Sequence, residues 1–247
     1  MKVVIELCVE GVDGAVVAAA AGADRVELCA SLMEGGITPS LGTVKATLAA
    51  VAAPVMVMVR PRGGDFLYSD REFASMVADV AVFREAGAAG VVFGCLTDQG
   101  AVDEARTRAL VVAAGPMDCT FHRAFDMTAH PAAALEALVR CGVQRVLTSG
   151  QAPAAMAGRK VLAALVQQAR GRIAVMGCGG LRADNIATVR RLTGLTELHF
   201  SAQVLLPSGM AYRNTALAMG SAGEAREFVR VGTDPDAVRA TIAAARG

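Results

Sequence analysis

Tryptophan is missing from this sequence, and phenylalanine and tyrosine together bring the aromatic share to only 4%. With 54% hydrophobic residues, packing must fall mostly to alanine, valine and leucine. Long apolar runs are missing as well: nothing reaches the roughly 18 residues a membrane-spanning helix needs, so no membrane partner is expected. A strong charge of either sign is also lacking, and a net charge of +1 gives no electrostatic case for nucleic acid. The six cysteines form no C-x-x-C pair, which speaks against a zinc finger or a disulfide framework and for reduced thiols. Lysine is confined to Lys2, Lys45 and Lys160, none at a strand's carboxyl end, so a Schiff-base aldolase is not expected. No nucleotide or flavin signature is found. The chain opens directly on the strand-like Val3-Val4-Ile5-Glu6-Leu7-Cys8, which leaves no room for a signal peptide and makes the cytoplasm the expected address.

What is present is a repeat. Four segments run from a small-residue helix end through glycine into an apolar strand, at Gly22, Gly87, Gly142 and Gly194. Each glycine suits the left-handed position that stops a helix. Between them lie four more strand candidates: Val3 to Cys8, Val55 to Arg60, Cys119 to Arg123 and Ile173 to Met176. Helix starts fit the same count. Thr38-Pro39 reads as an N-cap followed by a first-turn proline, Ser69-Asp70-Arg71-Glu72 as a capping box, and Pro131 and Asp234-Pro235 as openings. Eight strands, each followed by a helix, predict a parallel sheet with right-handed crossovers. Eight repeats of similar weight with no linker favour its closure into a single (β/α)8 TIM-type barrel domain over 1–247. The span 202–233 is the outlier, a long connection after strand eight, expected as a lid or subunit contact.

In such a barrel polar residues at the strands' carboxyl ends read as functional, because apolar layers are expected to fill the interior below them. Strands one and two end on the same triplet, Glu6-Leu7-Cys8 and Glu27-Leu28-Cys29, and alternation puts each Glu with its Cys on one side. Paired thiols on neighbouring strands could hold a soft ion such as Cu(I), or could be small core residues set in different layers by the barrel's stagger. Arg60, Arg62 and Arg123 close strands three and five and suit an anion, or could satisfy Glu6 and Glu27 in a structural ring. Gly179 and Gly180 after strand seven, with Ser201 after strand eight, form a candidate phosphate cradle. Glu27, His122 and Asp126 are the candidate acids and bases.

Several of these stretches are longer than chance allows. Arg-Val-Glu-Leu-Cys (25–29), Glu-Gly-Gly-Ile-Thr-Pro-Ser (34–40), Arg-Pro-Arg-Gly-Gly-Asp-Phe-Leu-Tyr-Ser-Asp (60–70), Thr-Phe-His-Arg-Ala-Phe-Asp-Met (120–127), Leu-Thr-Ser-Gly-Gln (147–151) and Met-Ala-Tyr-Arg-Asn (210–214) resemble the CutC family of copper homeostasis proteins. The resemblance implies a barrel, a cytoplasmic homo-oligomer, and a Cu(I) site at Cys8 and Cys29. It names no reaction. Cys178 stands where the family usually has a smaller residue. Two expectations follow: copper handling through the thiol pair, and an enzyme acting on a small anionic or phosphorylated metabolite at the same rim.

Overall fold

The computed structural model describes residues 3–214, 216–217 and 227–247. Eight parallel strands close into a barrel: β1 (Val4–Glu10), β2 (Arg25–Cys29), β3 (Val55–Met58), β4 (Gly90–Phe93), β5 (Asp118–Phe121), β6 (Arg145–Thr148), β7 (Ala174–Gly177) and β8 (Glu197–Phe200), with β8 pairing back onto β1. The helices between and after them are α1 (Gly11–Ala20), α2 (Leu41–Ala50), α3 (Asp70–Ala86), α4 (Glu104–Ala114), α5 (Pro131–Cys141), α6 (Arg159–Ala169), α7 (Ile186–Thr193) and α8 (Pro235–Arg246). No helix among the described residues is long and apolar enough to cross a membrane.

The local signals explain most of the boundaries. Gly87, Gly142 and Gly194 cap α3, α5 and α7 with φ of 89°, 79° and 75°, a region that costs other residues a steric penalty. Ser69 and Glu72 form the complete capping box of α3, and Pro131 opens α5. Thr38 corrects one expectation. Ser40, not Thr38, caps α2 by accepting from the Thr43 amide. The Thr38 hydroxyl instead accepts from the backbone N–H of Arg60 and ties the β2 loop to the end of β3. Lys45 and Lys160 lie on α2 and α6, and Lys2 falls outside the described residues.

The outward faces of the strands pack against the helices in one continuous apolar layer that includes Leu7, Leu28, Phe93, Phe121 and Leu198. Inside the barrel, by contrast, two small apolar groups occur: Met56, Met58 and Val92 with Cys29, and Leu147 with Met176 and Cys178. A row of charged side chains occupies much of the remaining interior, which corrects the expectation of apolar layers. After β8 the chain forms an antiparallel hairpin, β9 (Gln203–Pro207) with β10 (Val229–Thr233), at the two ends of the 202–233 span. A Cβ on Gly14 of α1 would lie 3.1 Å from Thr233 Oγ1, so a bare position there lets β10 pack against the helix.

Candidate functional site

Alternation along β1 and β2 sends Leu7 and Leu28 outward to the helices and turns Glu6, Cys8, Glu27 and Cys29 inward. The two triplets are not side by side. Cys8 pairs with Glu27 and Cys29 with Glu10, an offset of two residues, so the thiols approach on the diagonal. Their sulfurs are nonetheless 3.9 Å apart. Cys29 also donates toward Glu27 Oε2 at 3.6 Å. Behind Cys29, Gly36 holds φ +87°, and a Cβ there would reach to 3.0 Å from the sulfur. Cys29 is buried beneath this loop while Cys8 is half-buried.

His199 of β8 completes the group. Its Nδ1 lies 2.8 Å from Glu6 Oε1 and its Nε2 3.7 Å from Glu27 Oε2. Cys8, Glu27 and His199 each bring one ligand atom to within 4.8 Å of the others. Beneath them a chain of charge crosses the barrel. Arg25 Nε meets Glu6 and its Nη2 meets Glu197, both at 2.5 Å, and Glu197 in turn meets Arg145 at 2.5 Å.

This network sets the protonation states. Burial alone would raise the Glu6 carboxyl, but the His199 hydrogen bond and the Arg25 charge outweigh it and hold it near 2. An ionised Glu6 can only accept, so the Nδ1 of His199 carries the proton and Nε2 is the nitrogen turned toward the thiols. Burial opposes charging His199, yet the Glu27 charge, the Cys8 hydrogen bond and Glu6 push it well above the usual histidine value. Burial raises Glu27, helped by the Glu6 charge and opposed by His199, and Glu27 Oε1 has no hydrogen-bond partner. The hydrogen bond that Cys8 donates to Cys29 raises Cys8, reinforced by burial. In Cys29 that same bond works downward, but burial and Glu27 prevail and bring it to about 11. Both thiols are protonated at neutral pH.

A cleft of ≈ 290 Å³ opens above His199, and it brings Arg123, Gly179, Gly180 and Ser201 together with Cys8. Arg60 and Arg62 stand outside it. Arg60 spends its guanidinium on the carbonyls of Glu34, Gly36 and Gly64, and Arg62 pairs with Glu72 and Asp65. The mutual ring of Glu6, Glu27, Arg60, Arg62 and Arg123 is therefore not formed; Arg25, which alternation along β2 already turns inward, takes the Glu6 partnership. Asp126 is fully engaged: it accepts from Arg123, Thr148, Gln151 and twice from Ser149, and so clamps the β5 and β6 loops. His122 sits apart, its ring 5.0 Å from Phe66, its Nδ1 accepting from the Ala124 amide and its Nε2 without a partner. Burial and then the Arg60 charge depress it to about 3.

The sequence predicts Glu27 only as an acid or base, and gives His199 and Glu197 no place in a metal site. Their signal was available: two polar residues at inward positions of a four-residue strand, matched by Arg25 and Glu27 on β2.

The family model described as the CutC family matches residues 3–204. A family protein CutC of Mesorhizobium japonicum is 60% identical over 98% of this chain and 94% of its own length. The human copper homeostasis protein cutC homolog is 46% identical over 98% of this chain and 89% of its own length. The crystal structure of CutC from Streptococcus agalactiae superposes with a TM-score of 0.77 at 32% identity, covering 81% of this chain and 98% of that one. The barrel with its paired Glu-Leu-Cys strands belongs to the CutC family.

Proposed function

We propose that this protein binds Cu(I) at the carboxyl-end mouth of its barrel through Cys8 and Cys29, with His199 Nε2 and Glu27 as neighbouring donors. The observation that carries this reading is the 3.9 Å sulfur–sulfur distance. It lies within the ~4.6 Å that two metal–sulfur bonds of ~2.3 Å can span. Soft thiolates select Cu(I), and the unpartnered, buried Glu27 Oε1 is a carboxylate oxygen that a cation would satisfy. Because both thiols are protonated at neutral pH, and the upward push on His199 keeps a proton on Nε2 that must leave before this nitrogen can donate, binding must release protons, and affinity rises with pH.

Other expectations fit the same reading. Six free thiols suit the reducing cytoplasm. The exposed Leu205, Met210 and Tyr212 beyond β8 suit a contact between copies in a homo-oligomer.

Anaerobic competition titration with a chromogenic Cu(I) chelator tests the site. Cys8→Ser and Cys29→Ser are each expected to lose at least about a hundredfold in affinity, since even outer partners of a metal ligand are worth 10–100-fold. Unchanged affinity in both variants overturns the proposal.

A second reading is favoured by one observation, the gathering of Arg123, Gly179, Gly180 and Ser201 opposite His199 in one cleft. On it the protein is an enzyme acting on a small anionic or phosphorylated metabolite, with Glu27 and His199 exchanging the proton. His122 and Asp126 then support the walls, since neither borders the cleft. The readings part at Cys29: copper binding requires its sulfur, and proton transfer does not.

A further inference from the structure

The cleft over the thiol pair carries the wrong charge for a bare cation. Arg123 and Arg182 both border it, and no carboxylate does. Arg182 is paired with no acid among the described residues. Arg123 commits Nε to Asp126 and Nη2 to Ser149, which leaves Nη1 without a partner among the described residues. The amides of Gly179 and Gly180, at φ +94° and +66°, likewise find no acceptor among the described residues. Glu6 and Glu27 lie beneath His199, so the charged groups at the face turned to solvent are the two arginines. The whole chain is nearly neutral at +1, so this is a property of the cleft and not of the molecule.

A free monovalent or divalent cation approaching Cys8 must pass these guanidiniums, while an anion is drawn in by them. We infer that the site takes its metal from an anionic complex, Cu(I) held by two small thiols that bear carboxylates. The carboxylates dock on Arg123, Arg182 and the Gly179–Gly180 amides, and the metal passes to Cys8 and Cys29. This rests on the copper reading above. It joins the thiol pair and the anion cradle into one site: the cradle holds the carrier, the thiols receive the cargo. The space of ≈ 290 Å³ fits a carrier of few heavy atoms.

The exchange balances without a redox partner. Two Cu–S bonds to the carrier break and two Cu–Sγ bonds form. The protons of Cys8 and Cys29 leave with the two carrier sulfurs, which depart as thiols, and copper remains Cu(I) throughout.

The test compares two carriers under anaerobic conditions, Cu(I) presented with mercaptosuccinate, a dicarboxylate thiol, and with uncharged 2-mercaptoethanol. Uptake is followed in a stopped-flow instrument by ultraviolet charge-transfer absorption. Each rate is divided by that of free bicinchoninate capturing copper from the same complex, which removes the carriers' intrinsic difference. The wild type is expected to favour the anionic carrier by about tenfold, a typical gain from a focusing cleft, and to lose that preference in high salt. Arg123→Gln should bring the ratio of the two rates close to one. Because Arg123 also supports Asp126, the exposed Arg182→Gln serves as a variant safe for folding, with the ratio falling about threefold. Succinate, which has the carboxylates and no sulfur, should slow uptake from mercaptosuccinate in the wild type. Rapid uptake from both carriers with an unaltered ratio in both variants overturns the carrier inference and leaves copper binding standing. No uptake from either carrier, in the wild type and Cys8→Ser alike, overturns both.

Discussion

The two faces of the same eight strands are built on opposite rules. Outward, between strands and helices, the side chains form one unbroken apolar layer from Ile5 and Leu7 round to Leu198 and Phe200. Inward, a row of Glu6, Arg25, Glu197 and Arg145 crosses the barrel, with thiols, a histidine and an orphaned carboxylate oxygen above it. The outer face obtains its stability from area removed from water, which tolerates no gaps but needs no particular partner. The inner face is stable only as a set, because each charge there is buried and depends on its neighbour. The barrel thus separates the packing that holds it from the groups that give it chemistry.

Three measurements can break or sharpen that division. Phe93→Ala empties a fully buried outer position and is expected to cost about 3–5 kcal/mol in urea denaturation. Copper affinity of the folded fraction should stay as it was; a parallel loss would show the two faces to be coupled. Glu6→Gln attacks the inner set. It deprives Arg25 of one of its two acids and His199 of its charged acceptor, and should cost about 3 kcal/mol, near the lower end for breaking a buried pair. Unlike Phe93→Ala, it should also weaken Cu(I) binding by about 10–100-fold, because the carboxylate that orients the histidine ring is gone. A stability loss without that weakening would reduce Glu6 to a packing role.

The smallest effect concerns acid. His122 titrates near 6.5 in the unfolded chain and near 3 in the fold. As pH falls, the unfolded state therefore takes up the proton first, so the His122 contribution to stability is full above 6.5 and declines between 6.5 and 3. From pH 6.5 to 5 the loss amounts to about 2 kcal/mol at 1.36 kcal/mol per pH unit. His122→Asn should remove this part of the slope, as seen in denaturation midpoints at pH 7.5 and 5. Glu6 acts lower: held at about 2 against an ordinary 4.5, its contribution is present above 4.5 and fades below it. A stability difference between pH 7.5 and 5 that is the same in the wild type and in His122→Asn would contradict the buried, neutral state of His122.

How much of this could be read beforehand follows the same two faces. The strand count, the closure, the cap glycines and the Ser69–Glu72 box all rest on local periodicity, and local periodicity is what a sequence displays. Alternation also told which face Glu6 and Cys8 occupy. It could not tell their depth, because depth depends on the register between strands. The two-residue offset of β2 against β1 is a property of the closed sheet and of neither strand. The chain of Arg25, Glu197 and Arg145 draws on strands two, eight and six, so no single stretch of sequence displays it. Arg60 was legible as a cation at a strand end, but its partners are carbonyls of irregular loops, and carbonyls leave no trace in residue identity.

The unequal burial of the two sulfurs has a kinetic meaning. Cys29 lies under Gly36, with room for no side chain above it, while Cys8 forms part of the cleft wall. An ion bridging them can be challenged from one direction only. Competing ligands reach it past Cys8, and as long as Cys29 keeps its bond a displaced ion can fall back before it escapes. Residence time at such a site is governed by the outer sulfur and final release by the inner one, so this barrel mouth would hold copper as a one-sided latch.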